Sequence, residues 1–495
     1  MILLVLLACP LAGAAALAAV RAMRLAAVRA TRLADAVHVA TALATVGSAA
    51  VLAVQVARGG PVVELGWGFR ADGLSAFMAA LVAGIAVVAA VGVPSYLAVE
   101  TAAGRLRPGR ALAFRPLFHL FVFTMLLAVT TDSIGVMWVA VEGTTLASVF
   151  LITLERTRAS LEAAYKYLLI CSVGIAVAFI GTVLVYYADV QQFGETDHAL
   201  YWSTLLAAAP RLPARLVELA FVFVLIGYGT KAGLVPMHTW LPDAHSEAPA
   251  PVSALMSGVL LNVGVYALLR FKTVADATLG AGFAERLLLG FGLASMAVAA
   301  ASLWAPRNYK RMLAYSSVEH IGLVCVGLGF GGAWGVAGAL LHMLTHALAK
   351  SALFVLAGRV LQRYGSAELG RVRGIMRTMP WTGAAFLAAT LALVGLPPFG
   401  LFLSEVLILR AGFASGRPWA AGIALALLVA VFGGILRAVN RMLHGSPPEE
   451  APSIGQSPWP LVPVAINLAL LVLLGAGLPA GLVEALTRIA AGLGG

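Results

Sequence analysis

The run LHMLTHALAKSALFVLAG, Leu341 to Gly358, places His342, His346 and Lys350 at four-residue intervals inside an otherwise apolar stretch. At 100° per residue each step of four lands nearly above the last, so the three groups share one face of a helix. The rise of about 6 Å per step is too long for direct proton transfer along one helix, and water would have to bridge the groups. Three readings fit this face: a path for protons, buried histidines that only pack and hydrogen-bond, or an i,i+4 metal pair. A metal site needs a third ligand, and there is no HExxH motif. Glu319-His320 might supply ligands, but no spacing demands it, and no metal is expected.

The rest of the chain frames that run. Its 495 residues are 61% hydrophobic and 11% charged, with a mean hydropathy of +0.95; a soluble protein carries about 25% charged residues. Apolar runs of roughly 20 residues recur from end to end, each long enough to cross a bilayer as a helix. The expected fold is an all-α polytopic membrane protein with about fourteen transmembrane helices. Cys9, Cys171 and Cys325 stand alone in apolar stretches, so neither an iron–sulfur centre nor a structural zinc site is indicated, and no cofactor is expected. Leu6-Leu7-Ala8-Cys9 faintly resembles a lipoprotein cleavage box, but the short uncharged stretch before it reads as the start of a membrane helix.

The net charge of +11 does not point to nucleic acid, because the arginines sit in short loops between apolar runs. Arg21, Arg24, Arg29 and Arg32 follow span 1, and Arg105, Arg107, Arg110 and Arg115 follow span 3. Arg156 and Arg158 follow span 5, Arg307, Lys310 and Arg311 follow span 9, and Arg363, Arg371, Arg373 and Arg377 follow span 11. After span 6, Asp189, Glu195 and Asp197 balance Arg211 and Arg215. Odd-numbered loops are therefore expected in the cytoplasm and both termini outside. Lys272 and Arg286, around the loop after span 8, run against this pattern.

Two spans are interrupted. Span 7 reads GYGTKAGLVPMHTWLPDAH, with Gly227, Gly229, Gly233 and Pro236 inside the apolar run; span 12 reads LALVGLPPFGLFLSEVL, with Gly395, Pro397, Pro398 and Gly400. Proline removes a backbone donor and clashes with the preceding turn, so both helices should break. Broken helices in corresponding positions point to inverted repeats with ion sites at the breaks. This divides the chain into an N-terminal three-helix segment (1–110), a first five-helix repeat (111–275, spans 4–8), a second (276–445, spans 9–13) and a C-terminal helix (446–495).

Only five of the 33 basic residues are lysines, and Lys166, Lys231 and Lys350 fall in apolar helical stretches. Lysine is the basic side chain that can give up its proton, whereas arginine stays charged. Glu142 lies mid-span in GVMWVAVEGTTLASVF and Glu405 follows the span 12 break. A carboxylate at the bilayer centre costs at least about 2.5 kcal/mol, so partners are expected, and the natural pairs are Glu142 with Lys231 and Lys350 with Glu405. A static ion pair that fixes helix packing is the alternative, though such pairs stabilise poorly. The segment PMHTWLPDAHSEAPAP, 236–251, holds His238, Asp243, His245 and Glu247, as a proton inlet or as a rigid connector.

KAGLVPMHTWLPDAHSEAPAPVSALMSGVLLNVGVYALLRF, YSSVEHIGL and the opening run closely resemble the large antiporter-like subunits of complex I and of Mrp-type cation/proton antiporters. RADGLSAFM and TDSIGVMWVAVEGTTLASVFLI fit the same superfamily, and the resemblance covers nearly the whole chain. VEH after YSS, and Asn262, look most like the hydrogenase-4 and formate hydrogenlyase membrane subunits. The resemblance implies a fourteen-helix fold with inverted repeats, in the plasma membrane of a bacterium or archaeon. It implies a proton relay of Glu142, Lys231, His342, His346, Lys350 and Glu405. Lys166, Asp132, His238, His245 and Glu319 are further candidates for proton uptake or coupling. Asn262 stands where many complex I relatives carry a central lysine, and an amide cannot carry a proton at that link.

The function expected is proton translocation by one membrane subunit of a multisubunit redox-linked complex. Its partners would be other membrane subunits, a soluble catalytic partner and the lipid bilayer, with Na⁺ as an alternative cargo. A proton-conducting subunit of a bicarbonate-accumulating complex and a Na⁺/H⁺ antiporter component are the alternatives; a scaffold whose charges only pack helices is another class.

Overall fold

The computed structural model describes residues 1–23, 27–64, 68–196, 199–447 and 457–494. Arg24 and Asp197 lie outside the described residues. In chain order the helices are α1 (Ile2–Ala22), α2 (Ala27–Gly59), α3 (Gly73–Ala102), α4 (Pro108–Thr130), α5 (Ile134–Ile152), α6 (Arg158–Phe193) and α7 (Trp202–Ala208). They continue with α8 (Ala214–Ala232), α9 (Trp240–Glu247), α10 (Ala250–Leu255), α11 (Leu261–Leu279), α12 (Gly282–Leu303), α13 (Tyr309–Phe330) and α14 (Gly332–Tyr364). The last are α15 (Ile375–Thr378), α16 (Pro380–Leu393), α17 (Gly400–Ala414), α18 (Pro418–Leu443), α19 (Leu461–Ala476) and α20 (Ala480–Gly492). A short antiparallel pair, β1 (Val62–Glu64) and β2 (Phe69–Ala71), with Val62 opposite Ala71, is the one sheet among the described residues.

A backbone in hydrocarbon must satisfy its own hydrogen bonds, which is why the apolar runs are helical. Twelve helices among the described residues are long and apolar enough to cross a membrane, and the pair α19–α20, bent by 78°, would make a thirteenth. The expected count of about fourteen therefore rests on how the broken elements are counted. Both interruptions expected from glycine and proline are present. Helix α8 stops at Gly233, whose positive φ of 80° turns the chain into the one-turn connection before α9; α16 stops before Gly395, φ 68°, and the chain resumes as α17. Val235–Pro236 and Pro397–Pro398 are both cis.

The helices are not equally protected. The apolar window of the α10–α11 span is wholly buried and those of α13 and α14 are 94% buried, against 33% for α1 and α18. Of these, α13 and α14 hold Glu319, His320, His342, His346 and Lys350, so these polar groups have little access to lipid. The arginine-rich loops gather at one end of the bundle: Arg110 Nη1 donates to Leu154 O, Leu369 N to Arg307 O, and Gly374 N to His444 O. Two residues assigned to those loops from sequence are inside the protein. Arg115 is buried in α4 and pairs with Asp35 on α2. Lys310 is buried in the first turn of α13, where its ammonium donates to Ser246 O at 2.6 Å and Ala248 O at 2.9 Å. Lys272 is buried as well, paired with Asp276 one turn on.

The opposite end is tied by one arginine. The Arg270 fork donates to both oxygens of Asp72, at 2.6 and 2.7 Å, and to Ser75 Oγ at 2.8 Å, while its Nε meets Tyr266 OH at 3.0 Å. Asp72 in turn caps α3 by accepting from Ser75 N at 3.0 Å, and Tyr266 OH donates to Val129 O of α4. Burial alone would push the Asp72 carboxyl up, but the Arg270 guanidinium beside it outweighs this and holds it down at about 2. An acid depressed in the folded state contributes stability that is full above its ordinary value near 4 and is lost as pH falls through the folded one. Unfolding of the detergent-solubilised chain should therefore lose about 2 kcal/mol between pH 4 and pH 2 through this site alone. Asp72→Asn should be less stable at neutral pH and show a correspondingly shallower acid slope; an identical slope would contradict the assignment.

Candidate proton-relay site

The first cluster forms where α5, α6 and α8 meet. Lys231, fully buried, is the last residue but one of α8, and its Nζ donates to Thr145 Oγ1 at 2.8 Å and to Tyr167 OH at 2.9 Å. Thr145 donates onward to Glu142 Oε2 at 3.2 Å, one turn back on α5, and Ser172 of α6 donates to Oε1 at 2.6 Å. The expected direct pair of Glu142 and Lys231 is thus absent from the ion pairs among the described residues. A hydroxyl both accepts and donates, so Thr145 satisfies the ammonium and the carboxylate together. Tyr167 is held in place by Ser148, 2.7 Å away.

The second cluster spans α13, α14 and α17. Lys350 donates to Leu313 O and Ser316 Oγ of α13, and does not pair with Glu405. Glu319 lies one turn beyond Ser316 on the same helix, fully buried, and neither of its oxygens accepts a hydrogen bond among the described residues. His320 Nδ1 lies 3.3 Å from its Oε2. The same Nδ1 is 3.0 Å from His342 Nε2, and His342 Nδ1 is 2.8 Å from Ser404 Oγ on α17. The rings of His342 and His346 are 6.4 Å apart, but His320 lies 5.1 Å from one and 5.0 Å from the other. Hence His320 of α13 packs against both α14 histidines and is hydrogen-bonded to His342. Both His346 nitrogens are buried without a hydrogen-bond partner among the described residues.

Between the clusters runs the α10–α11 span, which contains a wide π turn, Met256–Leu260. Asn262 lies two residues beyond it: its amide donates to Gly258 O at 2.9 Å and to Met343 O of α14 at 3.4 Å. Its Oδ1 is buried with no donor among the described residues. Ser257 within the turn meets Ser317 of α13 at 2.7 Å. A π turn displaces the helical bonding pattern by one residue, and such turns gather at functional sites.

The other candidates scatter. His245 on α9 is buried, has no hydrogen-bond partner on either nitrogen among the described residues, and stacks on Phe354 of α14 at 5.0 Å, one turn beyond Lys350. His238 lies in the connection before α9, 6.2 Å from the Tyr315 ring. Lys166 is on the surface, bridging Glu162 at 2.7 Å and Asp243 at 3.2 Å; Asp243 also pairs with Arg311. Asp132 is at the far end, where it accepts from Ser203 and orders the start of α7. Glu405 neighbours Ser404 but turns to the break, where a β-carbon on Gly395 would collide with its carboxylate. No three His, Cys, Asp or Glu side chains among the described residues are grouped to hold a metal ion.

Thr145, Tyr167, Ser172, His320 and Ser404 are absent from the relay candidates that the sequence offers, where His320 reads only as a possible metal ligand. Helical periodicity shows which groups share a face of one helix, not which group a neighbouring helix inserts between them. The adjacency of Glu319 and His320 is the one signal that could have found the bridge.

The sequence profile described as NADH:quinone oxidoreductase/Mrp antiporter, transmembrane, matches residues 131–432. The chain belongs to that family. This antiporter-like membrane protein is 41% identical over 345 residues to the hydrogenase-4 component F homolog of Methylacidiphilum infernorum, covering 70% of this chain and 72% of that one. It is 34% identical to NADH-quinone oxidoreductase subunit N of Desulforudis audaxviator, over 82% and 81% of the two chains. Among solved structures, a chain of respiratory complex I from Thermus thermophilus with bound NADH superposes with a TM-score of 0.81 at 25% identity, covering 100% of both.

The Gly395 contact yields a stability comparison. Gly395→Ala must adopt a positive φ and displace Glu405, whereas Gly416→Ala, at φ 72° with open space around it, faces only the backbone cost. Both should lose about 1–3 kcal/mol from backbone strain. Gly395→Ala should lose measurably more in thermal unfolding; equal losses would show that Glu405 is not seated on the break.

Proposed function

We propose that this subunit moves protons across the membrane through the two clusters, within a multisubunit complex whose redox chemistry is carried by other subunits, among them a soluble catalytic partner. The observation that carries the reading is the ladder of proton-bearing groups in the most buried helices. It runs Glu142–Thr145–Lys231 on one side and Lys350–Ser316, Glu319–His320–His342–Ser404 on the other. Ion pairs kept for stability would be direct and sparse, whereas here hydroxyls and imidazoles that both donate and accept stand between the ends. The kinship with hydrogenase-4 component F and NADH-quinone oxidoreductase subunit N supports the same reading.

In this mechanism Thr145 conveys the Glu142 charge to the Lys231 ammonium. Loosening that link leaves a buried ammonium with too few acceptors and favours transfer of its proton towards the centre. Water held by Asn262 Oδ1 would complete the middle, since the amide cannot itself take the proton. On the other side the proton passes from Lys350 and Glu319 through His320 to His342, and leaves by Ser404 and Glu405 at the second break. His245, next to Lys350 on the Phe354 ring, is the inlet from the arginine-rich end. That end is assigned to the cytoplasm and both termini to the outside, by the excess of arginine in its loops. The breaks at Gly233 and Gly395 support reading 111–275 and 276–445 as two inverted repeats, with 1–110 and 446–495 flanking them. Driving one charge against 100 mV costs about 2.3 kcal/mol, which the partner reaction must supply.

The reading is tested by proton uptake into vesicles carrying the assembled complex. His320→Phe keeps a ring but removes both nitrogens, and should cut uptake by about 100-fold with assembly intact. Lys231→Ala should do the same, and Asn262→Lys should change the rate if the centre lies on the path. Wild-type uptake in all three variants would leave the scaffold reading.

A further inference from the structure

A further cluster of titratable groups stands between the arginine-rich end and the relay. Lys310 is buried in the first turn of α13, and its ammonium donates to Ser246 O at 2.6 Å and Ala248 O at 2.9 Å. Carbonyls hold an ammonium but neither take nor return its proton. The groups around it that can are acids. Glu247 at the end of α9, Glu155 in the turn between α5 and α6, and Glu100 near the end of α3 all lie within electrostatic reach of the ammonium. On the inner side, His245 is within such reach of both Lys310 and Lys350, and neither of its buried nitrogens has a hydrogen-bond partner among the described residues.

The three acids are not equivalent. Glu100 is fixed, accepting from Arg105 Nε at 2.5 Å and Nη2 at 3.2 Å and from Gln362 Nε2 at 3.0 Å. Glu247 accepts from Ser246 Oγ at 3.3 Å. Glu155 is half-buried and makes no ion pair among the described residues, so it is open both to water and to the cluster.

The turn that carries Glu155 is held on both sides. Arg110 Nη1 donates to Leu154 O at 3.4 Å, and Arg156 N to Thr153 O at 3.2 Å. Arg156, at φ 51°, is the one non-glycine residue with a positive φ among the described residues. Such a backbone persists only where its surroundings fix it. Arg156 is left exposed, while Glu155 faces Tyr96 and Glu100 of α3, Arg105, Glu247 and Lys310. Burial pushes the Glu155 carboxyl up and the Glu100 charge adds to this, against the pull of Lys310 and Arg105. An acid raised in this way holds its proton at a higher pH than a free one, which suits it to capture and release.

Given a relay through the two clusters, we propose that Glu155 loads protons into it from the arginine-rich end, by way of Lys310 and His245. Lys310 gives its proton to a free nitrogen of His245, and the neutral amine takes one from the Glu155 carboxyl. The carboxylate left behind is protonated again from the medium. Glu100, locked to Arg105, stays charged throughout and favours the return of Lys310 to its ammonium form.

The test is proton uptake by vesicles carrying the assembled complex with the arginine-rich end facing the medium. Glu155→Gln should slow uptake about 100-fold at pH 8 with assembly intact, and far less at pH 6, where protons of the medium reach Lys310 unaided. Glu155→Asp should recover most of the rate, and Glu368→Gln, an exposed acid at the same end, should match the parent at both values. Lys310→Arg keeps donors for Ser246 O and Ala248 O without deprotonating, and should be slow at both. Parental uptake by Glu155→Gln at pH 8, or an equal deficit at the two values, would overturn the loading role; a slow His320→Phe measured alongside would leave the relay itself standing. Parental uptake by His320→Phe would overturn the relay and the loading role together.

Discussion

A polar group in the middle of a membrane bundle has no water to turn to, and everything distinctive in this protein follows from that constraint. Each buried ammonium is met by another side chain or by backbone, whereas the Glu319 carboxyl and the His245 and His346 rings have no hydrogen-bond partner among the described residues. Lys231 is met by Thr145 and Tyr167, Lys350 by Leu313 and Ser316, and Lys310 by the carbonyls that close α9. None of these lysines rests directly on a carboxylate, so each ammonium is held by groups that bind it without fixing it in place. The exceptions are at the ends of the bundle, where Arg270 grips Asp72 and Arg115 grips Asp35. Lys272, buried and paired with Asp276, is a further exception.

The same constraint shapes the backbone. Where α8 and α16 stop short, glycines with positive φ, Gly233 and Gly395, open each break, and the prolines that follow, Pro236 in the first and Pro397 and Pro398 in the second, are exposed. Between the breaks, the π turn before Asn262 leaves Gly258 O to be met by the Asn262 amide. Asn262 thus has a structural task, closing the turn against α14, and an acceptor with no donor among the described residues. That combination suits a group that holds water in place better than one that carries charge itself.

Much of this was legible in the amino-acid order. Hydropathy and length bring out the helices, Gly233 with Pro236 and Gly395 with Pro398 mark the breaks, and the i,i+4 spacing of His342, His346 and Lys350 marks the central face. What the order of residues conceals is what one helix inserts into another. His320 bridges His342 and His346 from α13, Thr145 interposes between Glu142 and Lys231, and Lys310 turns inward from what reads as a basic loop. The π turn carries no distinct signal, since Met256–Leu260 is as apolar as its flanks. Lys166 follows the pattern of buried charge in sequence and Asp132 falls on a family position; in the fold Lys166 has surface partners and Asp132 accepts from Ser203 at the start of α7.

The central claim is that Lys350 must release a proton and not merely be charged. Lys350→Arg separates these roles, because arginine keeps the charge and the donors to Leu313 O and Ser316 Oγ but does not deprotonate. The decisive measurement is proton uptake by vesicles carrying the assembled complex with this single change, alongside its helical content and subunit composition. Normal assembly with uptake reduced by about 100-fold is the result this account predicts. Normal assembly with uptake at the parental rate would show that the charge alone matters, and would contradict it.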